Sequence, residues 1–244
     1  MKTLVLAAGR GERMRPLTDT VPKALLRAGG RSLIEWQIER LRRSGFRDLV
    51  INVSYLGGQI EAYLRDGTHL GVHIEYSREP IALETAGGIA QALAKLGDAP
   101  FLAVNADIYC EFDFSRLRPV LQALTCAQTS WDAHLVLVDN PAHHPQGDFH
   151  LAPDGTLHES TGICFTFSGI GAYRRQLFNE VVPGEHRALG PLLRQHISSG
   201  QLHAEHYAGT WIDIGTPERL RQLRDYLGSD HTCRNVDANL RSCE

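Results

Sequence analysis

The segment Leu6-Ala-Ala-Gly-Arg-Gly-Glu-Arg-Met-Arg-Pro-Leu-Thr18, followed by Pro22-Lys23, concentrates residue types that can hold a polyphosphate. Small residues directly after an apolar run let backbone N–H groups approach an anion closely, and glycines allow the chain to turn there. Arg13, Arg15 and Lys23 follow within one short stretch, so their cations can neutralise a triphosphate cradled by those donors. The spacing excludes two familiar phosphate loops. A Walker loop needs Lys-Ser/Thr directly after its second glycine. A dinucleotide fingerprint needs a small residue where Met14 stands and an acid closing the next strand, where Asn52-Val53-Ser54 has none.

Two aspartates add a second element of chemistry. Asp107 lies just past the apolar run Phe101 to Val104, at the strand end where open α/β sheets bind ligands. Asp213 sits within Trp211-Ile-Asp-Ile214, an expensive place for a charge without a partner. Two carboxylates together with phosphate oxygens suit magnesium, which takes few carboxylates and retains water. The plainer alternatives are a turn-initiating role for Asp107 and a structural cap for Asp213. No Ser/His/Asp or Cys/His set is legible, so a covalent intermediate is not expected.

These residues need elements to position them. Lys2 to Ala8 reads as a buried strand, and Ser32 to Ser44 as a helix with Ile34, Ile38 and Leu41 on one face and Gly45 as its stop. Asp48 to Ser54 reads as a strand, Gln59 to Leu64 as a helix, Val72 to Tyr76 as a strand and Gly88 to Leu96 as a helix. Phe101 to Val104 is a buried strand running into Asn105-Ala-Asp107. This alternation predicts a mostly parallel central sheet covered by helices on both faces, a three-layer αβα arrangement. The second half predicts strands at Ala133 to Val138 and Gly162 to Phe167, a helix at Gly190 to Ile197 and an extended segment within Tyr207 to Ile214, ending at Gly215. Thr216-Pro217-Glu218 then opens a helix through Leu220, Leu223 and Leu227. A single domain over 1–228, with a small insertion around 139–165 and a flexible tail over 229–244, is the expected organisation.

Composition bounds the partners. With 244 residues, 43% hydrophobic and 22% charged, the chain has ample core for one large domain. The net charge of −3 gives no global attraction to nucleic acid or acidic membrane, and no run reaches the roughly 18 apolar residues of a spanning helix. The apolar stretch from Thr3 to Gly9 is too short for a secretory leader and is followed by Arg10, Arg13 and Arg15. Five scattered cysteines without a CxxC pair read as reduced thiols of a cytoplasmic protein. The expected partners are small molecules; the sequence carries no signal of oligomeric state.

Four motifs in order, Gly9 to Thr18 with Pro22-Lys23, Leu83-Glu-Thr-Ala-Gly-Gly88, Asn105-Ala-Asp107 and Trp211-Ile-Asp-Ile-Gly-Thr216, resemble the signature of the sugar-phosphate nucleotidyltransferases. The resemblance spans nearly the whole chain before the tail. It implies a Rossmann-like α/β fold of the nucleotide-diphosphosugar transferase type, and transfer of a nucleotidyl group from a nucleoside triphosphate to a sugar 1-phosphate. By the same resemblance Ala8, Gly9, Gly11, Glu12 and Arg13 hold the triphosphate, Lys23 contacts its phosphates, and Leu83 and Gly88 meet the base. Asp107 and Asp213 bind Mg2+ and, with Arg13 and Lys23, form the catalytic set.

Leu83-Glu-Thr85, Val104 to Asp107, Val138 to His144, Gly147-Asp-Phe149 and Phe167 to Ile170 are similar to the branch of that family acting on N-acetylmuramate 1-phosphate. That likeness implies UTP as donor, with Asn105, Asp148 and Gly169 on the sugar. Ala86 and Ala106 stand where that pattern has glycine. Mannose 1-phosphate with GTP, and glucose 1-phosphate with dTTP or UTP, are the alternative pairs. A non-catalytic nucleotide-sugar binder would be expected to lack Asp107, Asp213 or Lys23, and a glycosyltransferase would carry Asp-x-Asp in place of Asn105-Ala-Asp107. His143, His144 and His150 match no standard zinc spacing and read as a polar loop over the sugar pocket. Trp211 reads equally as a pocket wall or a structural tryptophan.

Overall fold

The structure is a computed structural model that describes residues 1–126 and 129–240, with the side chains of the last helix placed as far as Gly228. Strand β1 (Lys2–Leu6) feeds a long loop holding two short 3-10 turns, Glu12–Met14 and Lys23–Leu25. A small ribbon, β2 (Arg27–Ala28) and β3 (Arg31–Ser32), then leads into α1 (Leu33–Arg43), β4 (Asp48–Val53), α2 (Gly57–Leu64), β5 (His73–Arg78), α3 (Glu84–Leu96) and β6 (Phe101–Asn105). The second half runs β7 (Ile108–Cys110), α4 (Leu117–Thr125), β8 (Ala133–Val138), β9 (Phe149–Leu151), β10 (Leu157–His158), β11 (Ile163–Tyr173), α5 (Leu189–Ile197), β12 (Leu202–Tyr207), β13 (Trp211–Asp213) and α6 (Pro217–Leu240).

Helix α1 begins where its sequence says it should. The Ser32 side chain accepts from the Glu35 N–H at 3.4 Å while the Glu35 carboxylate accepts from the Ser32 N–H at 2.7 Å, a capping box.

Strands β5, β4, β1 and β6 lie side by side and parallel, each crossover made by a helix as that geometry requires. The expectation of a mostly parallel sheet holds there. On the other side of β6 the chain departs from it: β11 runs antiparallel to both β6 and β8, and β12 then pairs parallel to β8. The reason is the connection. Between β8 and β11 the chain makes only the β9–β10 hairpin, with no crossover helix, so it must re-enter the sheet in the opposite sense. The first part of β11 pairs with β9 and its last part with β6, so one long strand joins the sheet to the hairpin that fills the anticipated insertion.

Alternating residues of the central strands feed two cores. Val5, Ile51, Leu102 and Val104 pack with α1, α2 and α4. Leu4, Val50, Phe101 and Ala103 pack with α3 and α5 on the opposite face. A third cluster joins Met14, Leu33, Tyr109 and Ile214 to Leu220, Leu223 and Leu227 of α6, pinning the first turns of that helix against the loop after β1. The extended segment expected within Tyr207 to Ile214 is β13, which pairs with β7 apart from the large sheet on which β12 ends at Tyr207. Helix α3 starts four residues before the expected Gly88, and α4 was not anticipated. The expected tail from 229 to 244 lies, in its side chains and its last four residues, outside the described residues. Among the described residues no helix is long and apolar enough to cross a membrane.

The third cluster is small, so its members carry weight. Leu223 is fully buried. Leu223→Ala should lower the unfolding free energy by about 2–5 kcal/mol in a urea titration, as buried Leu→Ala changes do.

Candidate active site

The candidate site forms at the carboxyl ends of β1 and β6, with β7 and β13 as its side wall. Past β1 the backbone folds back on itself: the Gly11 carbonyl accepts from the Met14 N–H at 2.9 Å and from the Thr18 hydroxyl at 2.8 Å. Met14 is fully buried beneath this loop, leaving Arg13 exposed on its upper side. Gly11 lies directly against the Lys23 side chain, with room of only 3.1 Å between a Cβ placed there and Lys23 Cβ. The glycine loop and Lys23 are thus one packed unit.

The Lys23 ammonium forms an ion pair with the Asp107 carboxylate. Asp107 lies in the turn just before β7 and Asp213 ends β13: Asp213 stands opposite Ile108, and the Ile214 N–H donates to the Asp107 carbonyl at 2.8 Å. Asp213 accepts from Arg219 at 2.6 Å and lies 3.1 Å from His143. Each aspartate therefore has its own protein cation, which answers the expense of placing Asp213 in an apolar run. Arg13 reaches the same corner, since both its guanidinium and that of Arg219 lie over Gly215. Arg15 turns away to pair with Asp19 on the surface, so of the three expected cations it is the one that does not converge, and Arg219 stands in its place. A cavity of about 560 Å³ opens here, lined by Arg13, His143, Trp211, Asp213, Thr216 and Arg219.

The motif from Leu83 to Gly88 is organised by two buried polar residues. Asn52 accepts from the Ala7 N–H at 2.6 Å and donates to Glu79 at 2.7 Å; the other Glu79 oxygen accepts from the Leu83 N–H at 3.0 Å. Asn52 is 2% exposed and Glu79 4%. A Cβ on Gly88 would fall 2.7 Å from both Asn52 Nδ2 and Glu79 Oε1, so only glycine lets α3 close on this pair. The Leu83 carbonyl accepts from the Arg187 N–H at 2.9 Å. Leu83 and Gly88, expected at the base, are buried, and the N–H and carbonyl of Leu83 are both hydrogen-bonded. Ala86 and Ala106 keep negative φ, so neither departure from glycine strains the backbone.

On the flank expected to hold the sugar, the chain bulges between Phe167 and Ile170. Gly169 has φ +82° and lies against the Asn105 amide, where a Cβ would come within 2.5 Å of Nδ2. Asp148 ties this bulge, one oxygen accepting from the Phe167 N–H at 2.9 Å and the other meeting His144 at 3.1 Å. Trp211 donates to the Ser168 carbonyl at 2.9 Å, so it is both a structural tie and a wall of the cavity. The three loop histidines separate: His143 goes to Asp213, His144 to Asp148, and His150 lies on β9.

Asn52, Glu79 and Arg219 were not singled out by sequence. Glu79 stands four residues before Leu83, but nothing in that spacing shows that it is buried. Arg219 and Asp213 approach only because the turn at Gly215 folds the first turn of α6 back over β13.

The fold and this site define a nucleotide-transferring enzyme. The chain matches the nucleotidyl transferase family over residues 2–144 and belongs to it. It is 46% identical, over 94% of its length and 99% of the relative's, to an N-acetylmuramate alpha-1-phosphate uridylyltransferase of Neisseria meningitidis serogroup B. It is 31% identical, over 88% of its length and 92% of the relative's, to an enzyme of the same name from Caulobacter vibrioides. Among solved structures, a putative glucose-1-phosphate thymidylyltransferase from Bacillus anthracis shares the fold, with a TM-score of 0.79 at 20% identity, over 93% of this chain and 95% of that one.

Burial holds the Glu79 carboxyl above its ordinary range, against the lowering effect of its Leu83 and Asn52 donors. A carboxyl that binds its proton more tightly folded than unfolded adds stability fully present below its unfolded value, and that stability is lost as pH rises through the folded one. The unfolding free energy should therefore carry a declining component upward from about pH 4. Comparing urea titrations of the wild type and Glu79→Gln across that range should show the component missing in the variant.

Proposed function

We propose that the protein transfers the uridylyl group of UTP to N-acetylmuramate 1-phosphate, giving UDP-N-acetylmuramate and pyrophosphate. The observation that carries the reaction type is that β7 and β13 bring Asp107, just before β7, and Asp213, at the end of β13, to one end of the ribbon, with Lys23 of the glycine loop paired to Asp107. Kinship with the two named uridylyltransferases supports the choice of substrates.

Among the described residues no cluster of three or more carboxylate, histidine or cysteine ligands exists. Asp107 and Asp213 supply two carboxylates, and phosphate oxygens and water would complete the shell, a donor set that fits Mg2+. When bound there, Mg2+ would offset the repulsion between the two anionic substrates.

The residues of the chain do the rest. A sugar phosphate is largely dianionic at neutral pH, its second pKa being about 6, and needs no general base. Its oxygen forms a bond to the α-phosphorus of UTP while the bond from that phosphorus to the bridging oxygen breaks, and pyrophosphate leaves. The loop from Ala8 to Arg13 and Lys23 hold the departing phosphates and stabilise their charge. Asn105 at the end of β6, Asp148 in the 139–165 insertion and Gly169 in the bulge beside it orient the sugar for in-line attack. The reading places the enzyme in the cytoplasm, in recycling of cell-wall sugar; the unpaired thiols of Cys110, Cys126 and Cys164 support a reducing compartment.

Mass spectrometry of purified protein with Mg2+, N-acetylmuramate 1-phosphate and each triphosphate in turn tests this directly. A UDP-linked product formed with UTP is expected, and no product with any triphosphate would refute the reading. Asp107→Asn and Asp213→Asn should each abolish turnover while leaving the melting transition in place, because both remove charge at almost constant volume.

A further inference from the structure

Muramate differs from the corresponding hexosamine by a lactyl ether that ends in a carboxylate, ionised at neutral pH. A site for its 1-phosphate therefore needs one more cation than the triphosphate and the phosphate of the sugar require. We infer that Arg219, with His143 beside it, binds this carboxylate and determines specificity for the acidic sugar, an inference that rests on the function proposed above.

Arg219 is built into the first turn of α6, where its N–H donates to the Thr216 hydroxyl at 3.4 Å and its side chain is only 11% exposed. Its guanidinium is held in the cavity by Asp213 at 2.6 Å and by contact with the His143 ring. Nη2 of Arg13 lies at the same corner: a Cβ built on Gly215 would be 3.1 Å from it and 2.2 Å from Nη2 of Arg219. Arg13 makes no hydrogen bond or ion pair among the described residues. Two guanidinium groups thus converge with one carboxylate, Asp213, between them.

That arrangement is balanced only while Asp213 is free to answer Arg219. Once Asp213 is engaged by a divalent ion, its charge is spent, and a largely buried guanidinium is left facing the cavity. An uncompensated buried charge is costly, so the loaded site calls for another anion at this point. The phosphates have Lys23 and Arg13 on the loop side. Arg219 and His143 face the cavity from the side of α6 and of Pro141 and Ala142, and a guanidinium fork matches a carboxylate in two parallel hydrogen bonds. The 1-phosphate of the sugar has related anionic chemistry, and a comparison of two sugars separates the two sources.

The test measures kcat and KM for N-acetylmuramate 1-phosphate and N-acetylglucosamine 1-phosphate, each with UTP, in the wild type, Arg219→Gln and His143→Ala. In Arg219→Gln the ratio of kcat/KM values, muramate over glucosamine, should fall about tenfold or more, chiefly through KM for the muramate, as expected when one partner of a desolvated charge pair is removed. His143→Ala should shift it in the same direction by less. Arg219→Lys, which keeps the charge without the fork, should fall between and serves if the glutamine variant does not fold. Equal losses on both sugars would mean that Arg219 serves the phosphate or Asp213, and would overturn the assignment, as would an unchanged ratio. A wild type that shows no preference for the muramate would instead overturn the functional reading, and this assignment with it.

Discussion

The proposed reaction asks two carboxylates, Asp107 and Asp213, to stay ionised at one site, and like charges oppose that arrangement. The chain answers with a separate cation for each. Lys23 comes from the loop after β1 and meets Asp107; Arg219 comes from α6 and meets Asp213, with His143 on the same oxygen. Neither cation belongs to the ribbon that carries the aspartates. The loop, the ribbon and α6 must therefore be held together, and the small apolar cluster around Met14, Ile214 and Leu223 does so. The packing of α6 is in this sense part of the chemistry.

The same logic of buried polar ties runs through the rest of the site. The chain Ala7–Asn52–Glu79–Leu83 links the strand end that opens the phosphate loop to the start of α3 through groups almost without access to water. Inside a protein such bonds are strong, and breaking one leaves an orphan that is expensive. On the opposite flank Asp148, Ser168 and Trp211 fix the bulge at Gly169 against Asn105. The two flanks of the site are thus each set by a short hydrogen-bonded relay anchored on the central sheet.

The sequence was most informative where chemistry and local pattern coincide. The phosphate loop, Lys23, Asp107 and Asp213 can all be picked out because glycine, cation and carboxylate types are unusual at the ends of apolar runs. Alternating strands and helices in the first half likewise predict the parallel part of the sheet. The reversed strand β11 could not be seen, because its direction depends on a connection whose hairpin strands are only three and two residues long. Arg219 and Glu79 were invisible for another reason: a charged residue in a helix turn or at a strand end is usually solvated, and only the fold shows that these two are buried against partners. Leu83 and Gly88 were found as a motif, while their contacts with Asn52 and Glu79 depend on a burial that the motif does not reveal.

The central claim is that Asp107 and Asp213 act jointly, exchanging their protein cations for a divalent ion when the substrates bind. Electron paramagnetic resonance of Mn2+ titrated into the protein with UTP present tests it without reliance on turnover. Binding in the wild type that is weakened in both Asp107→Asn and Asp213→Asn is the predicted result. Mn2+ affinity unchanged in both variants would contradict the account, because the two carboxylates would then be serving only their protein partners.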